Sequence, residues 1–399
     1  MISLTSAALV AAVAVAVPIV LRLARARIPE AVLEIVVGIV IGPQVLGLAV
    51  ADEAVQVLSL VGLGFLLLLA GLEIDLRRLR GRVLVVTVGG YVASFGIALG
   101  AGLALAAAGL VRSPVLVAVI LSATSLGIIL PVLADAGEAD TTFGQLVVAG
   151  ASVAELVPII LLSLLFSQSE PDVVSRAVLL ATFGVFAAAV LVVVLGVERW
   201  RRLSQTLRDL QQTTSQIRVR AASALLMAYA AIAARFGLEA ILGAFVAGVT
   251  IRVVDQDPEM THQLFRPKLE GAGYGVFVPF FFVSTGLTLD IQALVSNPAT
   301  LAKVPLFLAC LLIARALPAL LYRPWAERLS QLVAAGLLQA TSLSIPVVGG
   351  ALGVHLGLVP PDNYAALVAA GLVSVIVFPA VALPLLRPSG ASKAGRSAR

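Results

Sequence analysis

Ala123-Thr124-Ser125-Leu126-Gly127-Ile128 returns 217 positions later as Ala340-Thr341-Ser342-Leu343-Ser344-Ile345. Gly71-Leu72-Glu73-Ile74-Asp75-Leu76 returns as Gly286-Leu287-Thr288-Leu289-Asp290-Ile291 at an offset of 215. Val37-Gly38-Ile39-Val40-Ile41 is echoed by Ala247-Gly248-Val249-Thr250-Ile251 at an offset of 210. One such match could be chance in a chain rich in Ala, Leu and Val. Three in the same order at nearly one offset indicate a duplicated unit.

The unit is built for lipid. Of 399 residues, 60% are apolar and only 12% charged, against about 25% charged in a soluble chain. Apolar runs of about 20 residues, long enough to cross a bilayer as helices, recur from end to end. We read thirteen spans, roughly 3–21, 30–49, 54–75, 83–109, 114–134, 144–166, 175–197, 218–235, 238–252, 271–289, 300–322, 329–357 and 363–386. The expected fold is an all-α polytopic membrane protein, with residues 1–386 as one membrane domain. Residues 387–399 are expected to be a disordered basic tail, and no long polar stretch suggests an appended soluble domain. The first run resembles a signal peptide in length, but Arg22, Arg25 and Arg27 follow it, reversing a signal's charge order.

Charge sets the expected orientation. Of the 27 basic residues, 22 follow odd-numbered spans or lie in the tail. Only Arg112, Arg176, Arg235 and Lys303 flank the other face, and Arg315 alone lies inside a span. The positive-inside bias then predicts an N-terminus outside and a cytoplasmic C-terminus in the plasma membrane. It also accounts for the net charge of +5 without a nucleic-acid partner. Each repeated stretch links spans seven apart, so corresponding spans cross in opposite directions. Spans 1–6 (about 1–166) and 8–13 (about 218–386) are expected to be inverted repeats, joined by span 7 and a linker over 167–217. Inverted repeats are a recurrent construction of secondary transporters.

The opening match also carries the chemistry. Ser122, Thr124, Ser125, Gly127 and Pro131 interrupt span 5, and Gln339, Thr341, Ser342, Ser344 and Pro346 interrupt span 12. Proline removes a backbone donor, and backbone groups freed within a bilayer need protein or a wet cavity to cover them. Small residues also permit close helix packing, but two matched breaks point to a midplane binding site. Glu155 lies about ten residues into span 6. A carboxyl there is costly unless it has a partner or faces a cavity, and it could hold a proton or a cation, with Ser152 one turn away. Arg315 could pair with Glu155, neutralise another acid, cap the carbonyl ends of the broken helices, or snorkel to the cytoplasmic face. Glu34, Glu73 and Asp75 lie toward cytoplasmic span ends, where interface solvation is expected.

Other chemistries find little footing. Ser152 has no histidine within a span to activate it, and no second midplane acid offers an aspartyl pair. His262 and His355 lack grouped metal ligands, no cofactor is implied, and Cys310 reads as a small apolar side chain.

Leu33-Glu34-Ile35-Val36-Val37-Gly38-Ile39-Val40-Ile41-Gly42-Pro43, Leu69-Ala70-Gly71-Leu72-Glu73-Ile74-Asp75, Leu242-Gly243-Ala244-Phe245-Val246-Ala247-Gly248 and Pro279-Phe280-Phe281-Phe282-Val283-Ser284-Thr285-Gly286-Leu287 add a resemblance. In their order, the chain resembles the monovalent cation:proton antiporters of the second cation–proton antiporter family, which includes the membrane domains of glutathione-gated potassium efflux systems. The resemblance implies a homodimer with a dimerisation domain and a mobile core. Two broken helices, here spans 5 and 12, would cross in that core. Glu155 would stand where the family carries its essential aspartate, and Arg315 where relatives carry a basic residue. Thr124, Ser125, Ser152, Thr341 and Ser342 would line the Na+ or K+ and proton path. Ala154-Glu155 departs from the family's usual two acids, or Asn or Gln before Asp, and no nucleotide-binding regulatory domain is expected. One acid implies one-for-one electroneutral exchange. A carrier of a small organic substrate on the same fold is the alternative.

Overall fold

The computed structural model describes residues 4–24, 29–73, 81–166, 173–198, 216–236, 238–254, 265–295 and 298–386. Among these there is helix and no strand. The principal helices are α1 (Thr5–Leu23), α2 (Glu30–Ile41), α3 (Glu53–Glu73), α4 (Gly81–Ala107), α5 (Pro114–Leu121), α6 (Leu126–Asp135), α7 (Thr142–Phe166) and α8 (Val173–Glu198). They continue as α9 (Ile217–Arg235), α10 (Ala240–Val254) and α11 (Phe265–Thr288, with a π-helical turn at Gly273–Phe277). The last four are α12 (Lys303–Ala316, extended by 3-10 turns to Trp325), α13 (Leu329–Gln339), α14 (Ser344–His355) and α15 (Pro361–Leu386). Asp75, His262, most of the linker and the tail lie outside the described residues.

The chain is a polytopic helical membrane protein. Among the described residues, ten helical segments are long and apolar enough to cross a membrane, the α5–α6 and α13–α14 pairs each counting once. Three expected spans fall outside that set. α8 has 26 residues and includes the apolar stretch Val178–Val190, and α10 has 15 and includes Ala240–Val253. Span 2 was expected to reach residue 49, but α2 has 12 residues and stops at Ile41. Pro43 disfavours the helical conformation at Gly42, and Gly42 is extended, with φ −68° and ψ 173°. Twelve residues rise about 18 Å, short of a hydrocarbon core about 30 Å thick.

Both expected breaks are present at matched positions. α5 ends at Leu121 and α6 begins at Leu126; α13 ends at Gln339 and α14 begins at Ser344. The second halves also end alike. Gly137 and Gly357 have φ of 74° and 68°, a left-handed conformation open to glycine without a Cβ penalty. Glu138 N–H then donates to Leu133 C=O, and Leu358 N–H to Gly353 C=O, both at 2.8 Å, which satisfies orphan carbonyls at each helix end.

The chain divides into two compact units, and each draws on both repeats. One comprises the described residues of 1–74 and 159–289. In it α2 packs on α11, and α3 packs on α10. A methyl group on Gly38 would overlap the Val283 carbonyl oxygen, and one on Gly286 that of Ile35. A methyl group on Gly71 would overlap the Phe245 carbonyl oxygen, and one on Gly248 that of Leu68. The offset of 210 carries Gly38 to Gly248 and Ile35 to Phe245, while 215 carries Gly71 to Gly286 and Leu68 to Val283. One backbone-on-backbone joint is thus made twice. Glu34 stands one helical turn before Gly38, on the same face. It is buried, 4% exposed, which overturns the expectation of interface solvation; Glu73 is half-buried.

The other unit comprises the described residues of 75–158 and 290–386. Its apolar core joins Leu126, Ile129 and Leu133 of α6 to Leu146 and Val147 of α7 and Leu338 of α13. Both broken helices and the predicted site residues lie in this unit.

Candidate functional site

A broken helix exposes orphan donors at one cut end and orphan acceptors at the other, with partial positive and negative charge respectively. The site is built by answering these ends. Glu155, on α7, is 6% exposed. Its Oε2 accepts the N–H of Leu126, the first residue of α6, at 3.3 Å. A carboxylate thus stands at the positive end of a half-helix.

Arg315, on α12, answers the opposite end of the other broken helix. Its Nε donates to the carbonyl of Gln339, the last residue of α13, at 3.1 Å, and to Thr124 Oγ1 at 2.8 Å. One terminal nitrogen donates to Ser94 Oγ at 3.2 Å, and the other to Gln339 Oε1. At 4% exposed, Arg315 caps a carbonyl end and does not snorkel.

The two breaks are hydrogen-bonded to each other. Thr124 Oγ1 donates to Gln339 C=O. Ser125 N–H donates to Thr341 C=O at 2.8 Å, and Leu343 N–H donates to Ser125 Oγ at 3.1 Å. The break also binds α7. Pro158 has no N–H for the carbonyl four residues back, which is that of Ala154. Thr124 N–H donates to this carbonyl at 3.2 Å. The residue that loosens α7 beside Glu155 thereby supplies the acceptor that holds the first break.

Of the predicted residues, Thr124, Ser125 and Arg315 form one connected network with the Thr341 backbone, and Glu155 adjoins it through Leu126. Ser152 and Thr341 turn their hydroxyls to their own helices, donating to Val148 C=O at 2.9 Å and Leu337 C=O at 3.2 Å. Ser342 is fully buried, and its Oγ has no hydrogen-bond partner. Its N–H donates to Ser374 Oγ at 3.1 Å, and Ser374 Oγ lies 3.2 Å from the Ser342 carbonyl oxygen.

Three contributors stand outside the predicted site residues, Gln339 having been expected only as part of the second break. Gln339 accepts from Arg315 through Oε1 and donates through Nε2 to Val147 C=O of α7 at 2.8 Å. Ser94 on α4 holds the guanidinium, and Tyr91, one turn earlier, bonds Ser122 at 3.0 Å. The available signals were Tyr91 and Ser94 at helical spacing in an apolar span, and a glutamine at the edge of the break. Gly150 leaves the space that the Tyr322 hydroxyl and Gln339 Nε2 occupy. Among the described residues, no three His, Cys, Asp or Glu side chains gather as metal ligands.

Residues 9–387 match the family described as sodium/hydrogen exchanger, transmembrane. The putative Na(+)/H(+) antiporter YjbQ of Bacillus subtilis is 30% identical over 94% of this chain, which spans 62% of that relative's length. The Na(+)/H(+)-K(+) antiporter GerN of Bacillus cereus is 26% identical over 88% of each chain. The solved sodium proton antiporter MjNhaP1 of Methanocaldococcus jannaschii shares the fold, with a TM-score of 0.62 at 17% identity over 96% of this chain and 98% of that one. The duplicated, twice-broken helical chain belongs to the sodium/hydrogen exchanger family.

Proposed function

We propose that the protein is a secondary transporter exchanging Na+ or K+ for protons by alternating access, with Glu155 as the group that holds either ion. The observation that carries this reading is the buried Glu155 carboxylate at the N-terminal end of half-helix α6. In a bilayer such an acid is retained for an ion or a proton path, and one carboxylate serving both makes the two compete. Thr124, Ser125, Ser152, Thr341 and Ser342 are the proposed polar lining, and Arg315 holds the break in register. The names of the relatives support this reading over an organic substrate.

In the same proposal the chain crosses the plasma membrane thirteen times, N-terminus outside, and works as a homodimer. The unit carrying Glu155 is the mobile core, and the unit with the glycine joints is the dimerisation domain. The test uses the purified protein in liposomes with a trapped pH dye and an imposed pH gradient. Addition of Na+, K+ or Li+ should dissipate the gradient, and Glu155→Gln should abolish the response. A wild-type protein silent to all three cations would sink the proposal.

A further inference from the structure

Ser342 has a fully buried hydroxyl oxygen with no partner, an arrangement that ordinarily costs stability. The repeat explains what that oxygen matches. The offset of 217 carries Ser125 to Ser342 and Leu126 to Leu343. In the second copy the Leu343 N–H is accepted by Ser125 Oγ at 3.1 Å. The image of that bond is Leu126 N–H donating to Ser342 Oγ. It is not made; the Leu126 N–H donates to Glu155 Oε2 at 3.3 Å. One donor therefore has two candidate acceptors, one placed by α7 and one by the inverted repeat.

We propose that Ser342 Oγ is the alternate acceptor for the Leu126 N–H, so that Glu155 can turn its carboxylate to a cation without orphaning the first N–H of α6. The inference rests on Glu155 as the exchange site. A cation drawing both carboxylate oxygens, or a proton making the carboxyl a poorer acceptor, weakens the bond to Leu126. Ser342 then closes on the freed N–H, and release of the ion reverses the exchange. Ser342 acts here as a positioning residue, through Leu126.

Ser342→Ala leaves the N–H only Glu155. The empty carboxylate is then favoured over both loaded forms. The cation KM should rise about tenfold, the cost of one orphaned buried donor, with kcat at saturating cation little changed. The pH profile should move acidward by roughly one unit, since the same cost opposes proton uptake. Ser342→Thr, which keeps the hydroxyl, should restore both. If Ser342→Ala does not accumulate folded, Ser342→Cys, with its weaker acceptor, should show a smaller shift of the same sign. Wild-type KM and pH profile in the hydroxyl-free variant would overturn the inference while leaving cation exchange standing. A wild-type protein without exchange would instead remove the function on which it rests.

Discussion

Arg315 shows how much one buried side chain can organise. Its planar fork reaches Thr124, Ser94 and both the side chain and backbone carbonyls of Gln339. A lysine ammonium is a single point on a flexible stem and cannot reproduce that spread. Arg315→Gln should leave the α13 carbonyl end without its cation, at about 1–3 kcal/mol for each buried group left unsatisfied. The expected outcome is a melting temperature lowered by several degrees in detergent and loss of cation-dependent proton flux. Arg315→Lys should fall between this variant and wild type in both. An Arg315→Gln protein as stable as wild type would show that the network contributes little. The sequence singled out this arginine as the one basic residue within a span and offered capping of a broken helix's carbonyl end among its roles, but not which groups it would reach. Gln339, Ser94 and Thr124 come from three separate elements, and only the fold brings them to one guanidinium.

At the scale of elements, legibility followed backbone chemistry. The breaks at 122–125 and 340–343 were readable because Ala-Thr-Ser-Leu recurs there at one offset, with a proline following within a few residues in each copy. The link from Thr124 to Ala154 was encoded by Pro158, but only the tertiary structure says which donor takes the carbonyl that a proline frees. Span 2 was misjudged in length because hydropathy continues through Val45-Leu46-Gly47-Leu48-Ala49, while Gly42-Pro43 has already ended the helix. The glycine joints make a sharper test. Gly248→Ala and Gly38→Ala place a methyl on a backbone carbonyl, which no side-chain rotation relieves. Both should reduce folded, monodisperse protein severely, and by similar amounts, because the repeat makes them one joint. Gly89, Gly96 and Gly100 on α4 have open space around an added methyl. Alanine there should be neutral, or stabilising by up to about 1 kcal/mol through helix propensity. Size-exclusion profiles and melting curves of the five variants would check this, and equal tolerance of all five would refute the joints.

The whole molecule is symmetric in scaffold and asymmetric in charge. The glycine joints, the breaks and the left-handed glycine caps that close α6 and α14 each occur twice. At the N-terminal end of α6 the answering group is the Glu155 carboxylate. At the same end of α14 the hydroxyls of Ser125 and Ser374 take the Leu343 and Ser342 N–H groups. The repeat thus supplies two half-helix ends, and one copy alone brings an acid to its end. Under the proposed mechanism Glu155 returns with a proton whenever it leaves with a cation, so the loaded site carries the same charge in both directions. Membrane potential then has no net charge to act on. A two-proton exchanger would move one extra charge per cycle, worth about 2.3 kcal/mol per 100 mV, or roughly a fiftyfold shift in the equilibrium cation ratio. The expected outcome in liposomes is a cation-dependent flux and an end point unchanged when a potential is imposed or collapsed. Valinomycin with K+ serves when Na+ is the substrate, and a lipophilic cation serves when it is K+. Acceleration on collapsing the potential would mean that a second proton crosses and that a further group, outside the Glu155 site, carries it.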